Sequence, residues 1–276
     1  MTLFKWMNIF KGIAMGVSDL IPGVSGGTIA LLLGIYQTLV AAINGVFTKK
    51  WKEHLLFLIP IGLGIGIALV SLSRLIEWLL SNYPQPTFFF FLGLTVAIIP
   101  TLLKEIKYKE SFQLHHYLLV VFATILVAST AIVKEDKMTP IMKHLEWSDY
   151  VFLFISGWLA SSAMILPGIS GSFVLLLLGV YPTIINALST LNLHVLAFTG
   201  SGIVIGLILT TKLITYLFNM YRVSTYAIII GFIIGSTIVI YPGMVNDPLL
   251  FILSVTSFIV GFLVVFSLSK FENTKV

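Results

Sequence analysis

Residues 22–26 read Pro-Gly-Val-Ser-Gly and residues 167–171 read Pro-Gly-Ile-Ser-Gly, each inside an otherwise apolar stretch. Proline stops a helix that reaches it, and glycine lets the backbone turn back sharply. Pro22 and Gly23, and again Pro167 and Gly168, therefore mark hairpin breaks. Past each break a new helix can start, at Ser25, Gly26, Gly27 and Thr28 in the first copy and at Ser170, Gly171 and Ser172 in the second. Ser25 or Thr28 can cap the first of these helices. A helix start exposes N–H groups and the positive end of its dipole, which favours a phosphate or carboxylate. One such copy suits a plain tight turn equally well; two copies favour a binding role.

Charged residues inside apolar segments are few: Asp19, Arg74, Glu77 and Lys212. A charge at the centre of a membrane helix costs about 2.5–3.5 kcal/mol, so such residues usually pair or line a pathway. Arg74 and Glu77, at i and i+3, can pair locally or snorkel to the outer edge. Lys212 has the same option at the cytoplasmic edge. Alternatively, Arg74 and Lys212 place one cation in each vestibule to meet an anionic headgroup. Asp19, three residues before Pro22, has no acidic counterpart, because Met164 stands three residues before Pro167. It suits proton or cation coupling, a buried cap, or a partner for Arg74; Glu77 is a second coupling candidate.

These groups sit in a chain of 276 residues that is 58% hydrophobic and only 10% charged. A soluble domain carries about 25% charged residues to face water, so most of this surface must face lipid. The formal charge of +5 reflects basic residues at membrane edges and does not imply a nucleic-acid partner. With no cysteine, disulfides, thiolate metal sites and a cysteine nucleophile are excluded. The five histidines show no metal-binding spacing, and no nucleotide loop, paired carboxylates or Ser-His-Asp order emerges. No metal, cofactor or catalytic residue is expected. The N-terminal apolar run, which follows Lys5, reads as a retained membrane element rather than a signal peptide.

About 20 apolar residues span a bilayer. Six segments do so loosely: 55–80, 87–103, 115–133, 194–218, 224–241 and 249–269. Two further stretches, 12–46 and 150–188, contain the breaks. Lys49, Lys50 and Lys52 follow the first broken stretch, and Lys104, Lys107, Lys109 and Arg222 mark two later joints. The positive-inside rule then places both termini, and the joints near 50, 107 and 221, in the cytoplasm. That assignment requires each broken stretch to return to its own side. Residues 12–21 reach only about 15 Å as a helix, so re-entrant half-helices are expected rather than full-spanning pairs.

The two stretches are copies. PGVSGGTIALLLGIY (22–36) and PGISGSFVLLLLGVY (167–181) agree at nine of fifteen positions, and Arg74 aligns with Lys212, Tyr83 with Tyr221 and Gly93 with Gly231. Repeat one covers about 12–104 and repeat two about 157–242, with a connecting helix at 115–133 and a final helix at 249–269, all in one transmembrane domain. The extra crossing at 115–133 makes the halves inverted. Inverted repeats with discontinuous helices bind substrate near the bilayer midplane, and irregular backbone at that depth must be buried in protein or line a cavity. The expected fold is thus an all-α polytopic membrane protein of two inverted repeats, each with a re-entrant hairpin, plus about six spanning helices.

GVSDLIPGVSGGT (16–28), the Phe-rich run 88–93 and LPGISGSF (166–173) resemble the PopT family, bacterial polyprenyl-phosphate transporters formerly known as a domain of unknown function. The likeness covers nearly the whole chain. Ser18-Asp19 stands where the family usually has Ala-Asp, and Val96-Ala97 where it commonly has Gly-Ser. The resemblance implies a multi-pass protein of the bacterial cytoplasmic membrane. It implies a flippase that returns undecaprenyl phosphate to the cytoplasmic leaflet for cell-wall synthesis, with a polyprenyl-phosphate lipid as partner. The tips also resemble the Pro-Gly-x-Ser-Arg-Ser motif of undecaprenyl-pyrophosphate phosphatases, but Gly26 or Gly171 replaces the arginine and only Asp19 remains of a Glu-rich hairpin. A transporter of a small soluble anion is the third reading.

Overall fold

The computed structural model describes residues 6–21, 23–46, 48–132, 141–142, 145–243 and 247–273; Lys5 and most of the loop between 133 and 146 lie outside them. Every regular element among the described residues is helical. Helix α1 (Met7–Asp19) leads to the first break, after which come α2 (Gly26–Leu32) and α3 (Tyr36–Gly45). Then follow α4 (Trp51–Ser71), α5 (Ser73–Asn82), α6 (Pro84–Glu105), the single turn α7 (Tyr108–Ser111) and α8 (Leu114–Ala128). The second series is α9 (Trp147–Ile165), α10 (Gly171–Leu177), α11 (Tyr181–Thr190), α12 (Leu193–Met220), α13 (Arg222–Ile240) and α14 (Pro248–Asn273).

Seven of these helices are long and apolar enough to cross a membrane: α4, α6, α8, α9, α12, α13 and α14. The protein is a multi-pass membrane protein. Its surface agrees: Val70, Leu118, Ile125, Leu213, Ile252 and Leu263 are all more than half exposed, which in water would be a large apolar patch.

Three features differ from the sequence expectation. The spans number seven rather than about six, because α9, the incoming arm of the second break, is itself 19 residues long, about 28 Å. Its Ser156 and Ser161 are buried and donate to the carbonyls of Phe152 and Trp158. The first incoming arm, α1, has 13 residues, about 20 Å. Secondly, the segment 55–80 is not one helix: it divides at Leu72 into α4 and α5. Ser71 bonds back to the carbonyl of Ile67 there, a contact that bends helices.

Thirdly, each outgoing arm breaks again. Helices α2 and α3 meet at 118°, α10 and α11 at 110°. The elbows share one construction. Gly34 N–H donates to Leu31 O and Ile35 N–H to Ala30 O at 3.0 Å; Gly179 N–H donates to Leu176 O and Val180 N–H to Leu175 O at 3.0 Å. Both are Schellman caps, with Gly34 at φ 63° and Gly179 at φ 72°, a conformation glycine adopts without penalty.

Glycines also set the packing. The most extensive helix pairings are α9 with α12, α6 with α14, α1 with α4 and α13 with α8. A Cβ on Gly12 or Gly64 would collide with backbone across the α1–α4 pair; one on Gly157 or Gly202 would do so across α9–α12. Gly93 and Gly261 play the same part in α6–α14, and Gly231 in α13–α8. With lipid as apolar as leucine, close backbone approach through small residues supplies the attraction between such helices. Gly12 aligns with Gly157 in the register of the motifs, and Gly64 with Gly202 in the register of Arg74 and Lys212.

Candidate functional site: two hairpin tips and two cavities

Asp19 ends α1, and its Oδ1 accepts a hydrogen bond of 2.8 Å from the Gly26 N–H at the start of α2. Ser25 is the N-cap, with extended backbone, and its Oγ accepts from Gly27 N–H at 3.2 Å. Thr28 N–H donates to the Ser25 carbonyl at 2.9 Å. The N–H groups that open α2 are therefore paired inside the protein. A Cβ at Gly26 would lie 2.8 Å from Asp19 Oδ2, so only glycine admits the carboxylate there. That second oxygen, Oδ2, is buried without a hydrogen-bond partner. Pro22 lies outside the described residues; Gly23 beside it has φ 82°.

The second tip carries the same turn without the carboxylate. Gly168 has φ 84°, Pro167 before it is fully buried, and Ser170 is the extended N-cap of α10 with no side-chain cap bond. Its Oγ shares a 2.9 Å hydrogen bond with Ser172 Oγ. Met164, in the register of Asp19, is 46% exposed.

The tips touch. Gly168 N–H donates to Thr28 Oγ1 at 2.8 Å, both groups buried, and Ser25 Oγ lies 3.5 Å from the Leu166 carbonyl it faces. Gly27 packs so closely that a Cβ would stand 2.9 Å from the Ile165 carbonyl. The tips are unequal in burial. The first five residues of α2 are all buried, whereas α10 has no buried residue.

The remaining sequence-selected residues lie apart from the tips. Arg74 and Glu77 are exposed on α5, and Lys212 is exposed on α12. Among the described residues the ion pair found is Arg222–Glu105 at 3.7 Å; Arg74 pairs with neither Glu77 nor Asp19. None of the three lines either cavity described next.

Two cavities flank the first hairpin. One, of about 240 Å³, is walled by apolar side chains such as Ile61, Ile65 and Leu207, and reaches Asp19, Gly26, Gly27 and Tyr36. The other, of about 520 Å³, lies between the α2–α3 elbow and α6 and is lined by Gln37, Thr38, Thr101, Lys104, Glu105 and Tyr226 among others. Tyr36 borders both; it is 2% exposed and its hydroxyl has no partner. Sequence reasoning missed the larger cavity because its polar groups come from α3, α6 and α13, with no shared spacing. The one signal was Tyr36 itself, identical in the two repeats at Tyr181.

Residues 15–249 match the sequence profile of a family described as undecaprenyl phosphate translocase-like. The chain belongs to this family. It is 44% identical over 277 aligned residues, 98% of each chain, to the polyprenyl-phosphate transporter of Staphylococcus aureus strain NCTC 8325. It is 38% identical to the polyprenyl-phosphate transporter of Vibrio cholerae serotype O1, over 84% of this chain and 76% of that one. No solved structure is detectably similar to it. The family match takes in both tips, both elbows and all of α2 to α13.

Proposed function

We propose that the protein is a polyprenyl-phosphate transporter of the bacterial cytoplasmic membrane. It moves undecaprenyl phosphate, or a close analogue, from the outer to the cytoplasmic leaflet for reuse in cell-wall synthesis. The observation that carries this reading is the end-to-end 44% identity to a protein named for that transport. The architecture supports it. A prenyl tail stays in lipid while its phosphate crosses, and a bare charge in hydrocarbon costs on the order of tens of kcal/mol by solvation alone. Paired, interrupted helices that meet inside the protein are how membrane proteins bring polar backbone to that depth.

The proposed topology has both termini cytoplasmic and the repeats, about 12–104 and 157–242, inverted about the membrane plane. The paired elbows and the paired glycine contacts support the repeat. The substrate site is assigned to Ser25, Gly26, Gly27 and Thr28 with Ser170, Gly171 and Ser172. Arg74 and Lys212 each stand as a cation at one mouth. The unequal burial of α2 and α10 supports alternating access, with the first tip closed and the second open in this conformation. Asp19, at the closed tip with one unpartnered oxygen, is the coupling group for a proton or cation. No catalytic step is assigned.

The test is flipping of a labelled short-chain polyprenyl phosphate by the purified protein in proteoliposomes. Acceleration over empty vesicles is expected, with no phosphate released from the corresponding pyrophosphate. Flipping at the rate of empty vesicles would end the transport reading; released phosphate would point to the phosphatase.

A further inference from the structure

The larger cavity is amphipathic in an ordered way. Leu31, Ile98 and Val265 form an apolar wall, and Gln37, Thr38, Thr101 and Lys104 a polar end. Val265 reaches this wall from α14 and is buried. The polar end is prearranged. Tyr226 donates its hydroxyl hydrogen to the Glu105 carboxylate and accepts from Gln37 Nε2 at 3.2 Å. Arg222 lies 3.7 Å from the same carboxylate and its guanidinium stands 5.9 Å over the Tyr226 ring. Glu105 is thereby engaged by two partners. The Gln37 amide is oriented, with a second N–H left over. Lys104, the neighbour of Glu105, makes no ion pair or side-chain hydrogen bond among the described residues. At the elbow, Lys11 Nζ donates to the Leu33 carbonyl at 3.1 Å, between the cavity-lining Leu32 and Gly34.

We propose that this cavity docks the phosphate monoester of a prenyl lipid. The phosphate sits against Lys104, the Gln37 amide and the hydroxyls of Thr38 and Thr101, and the first prenyl units lie along the Leu31–Ile98–Val265 wall. The site is distinct from the hairpin tips and rests on the transport reading. In the proposed topology it lies at the cytoplasmic end, where the headgroup leaves or waits. A phosphate needs unspent donors and an uncompensated cation; a prenyl chain needs a continuous apolar wall. Free phosphate uses only the first and a prenol only the second.

The chain has no cysteine, so Thr38→Cys and Thr101→Cys each give a single reactive thiol at the polar end. The full-length protein in nanodiscs is labelled with a thiol reagent in the presence of farnesyl phosphate, farnesol or inorganic phosphate. Farnesyl phosphate is expected to protect both thiols, with farnesol far weaker and inorganic phosphate effective only at much higher concentration. Adding Lys104→Ala or Gln37→Ala should raise the half-protecting concentration, about tenfold for lysine, the loss expected for one charge-assisted hydrogen bond. Lys104→Arg should restore it. Both residues are exposed, so the variants keep the fold. Unchanged protection in both alanine variants overturns the site. Equal protection by farnesol overturns phosphate recognition, and protection by inorganic phosphate alone overturns the lipid source. Flipping by the wild type and by the cysteine variants, with neither thiol protected, overturns this site and leaves the transport reading standing; absence of both flipping and protection overturns both.

Discussion

Thr28→Val tests whether the two tips work as one unit. The Thr28 hydroxyl accepts the Gly168 N–H at 2.8 Å, and both groups are buried. Valine has nearly the same shape, so packing is kept and only the acceptor is lost. The Gly168 N–H is then stranded where water cannot reach it, because Thr28 is 2% exposed and Gly168 is buried. An unsatisfied buried donor costs about 1–3 kcal/mol, a factor of roughly 5 to 150 in any equilibrium that depends on the tips being joined. Thr28→Ser keeps the oxygen and should lose far less. The assay is thermal unfolding in detergent alongside proteoliposome flipping for wild type, Ser and Val variants. Expected is a lowered unfolding temperature and a changed flipping rate for Val, with Ser close to wild type. A Val variant matching wild type in both measurements would refute the argument that this bond joins the tips.

Other substitutions separate packing from chemistry. Gly27→Ala puts a methyl 2.9 Å from the Ile165 carbonyl, whereas Gly62→Ala meets nothing within 4 Å. The first should cost about 1–3 kcal/mol as an overpacked contact and the second almost nothing in thermal unfolding; equal effects would deny the close approach of the tips. Asp19→Asn keeps an oxygen for the Gly26 N–H and removes the charge. The fold should persist while flipping loses its response to an imposed proton or cation gradient, and an unchanged response would remove Asp19 from coupling. Arg74→Ala with Lys212→Ala touches two exposed side chains, so unfolding should be unaffected and flipping slowed; undiminished flipping would end their role at the mouths.

Much of this fold is visible in hydropathy because lipid imposes one rule, a continuous apolar run, on six of the seven spans. The exception, α9, is instructive. It was legible as apolar within 150–188 but, as the arm of a break, was expected to be a half-helix; its buried hydroxyls, such as Ser156, bond to the preceding turn of the same helix. The breaks at Gly23 and Gly168 were legible from Pro-Gly. The elbows at Gly34 and Gly179 were present as identical letters but gave no turn signal, since a Schellman glycine after a run of leucines looks like a tolerated helix residue. What joins the repeats was not legible. The bond from Gly168 to Thr28 spans 140 positions, and the Gln37–Tyr226–Glu105 chain crosses three helices. Periodicity within one segment carries no information about such pairings. Arg74 and Lys212 stood out as charges in apolar runs, yet both are exposed on their helices and line neither cavity.

The first motif differs from the second by more than the presence of one acid. Asp19 sits on the N–H of Gly26, and Gly26 must lack a Cβ for it to do so. Aspartate and glycine therefore form one device seven residues long, in which the chain supplies its own anion to the helix start. A phosphate reaching that tip meets a carboxylate already holding the N–H it would use, and like charges at such a distance exclude each other. The second tip, with Met164 in the equivalent place, opposes no anion. Two motifs alike in sequence are thus unlike in electrostatics, and the unlikeness follows burial: the helix after the carboxylate-bearing tip is buried over its first five residues and its counterpart is not. For phosphate to occupy the first tip, Asp19 must withdraw or take up a positive charge. On the proposed route, movement of the phosphate is thereby tied to the state of a single carboxylate.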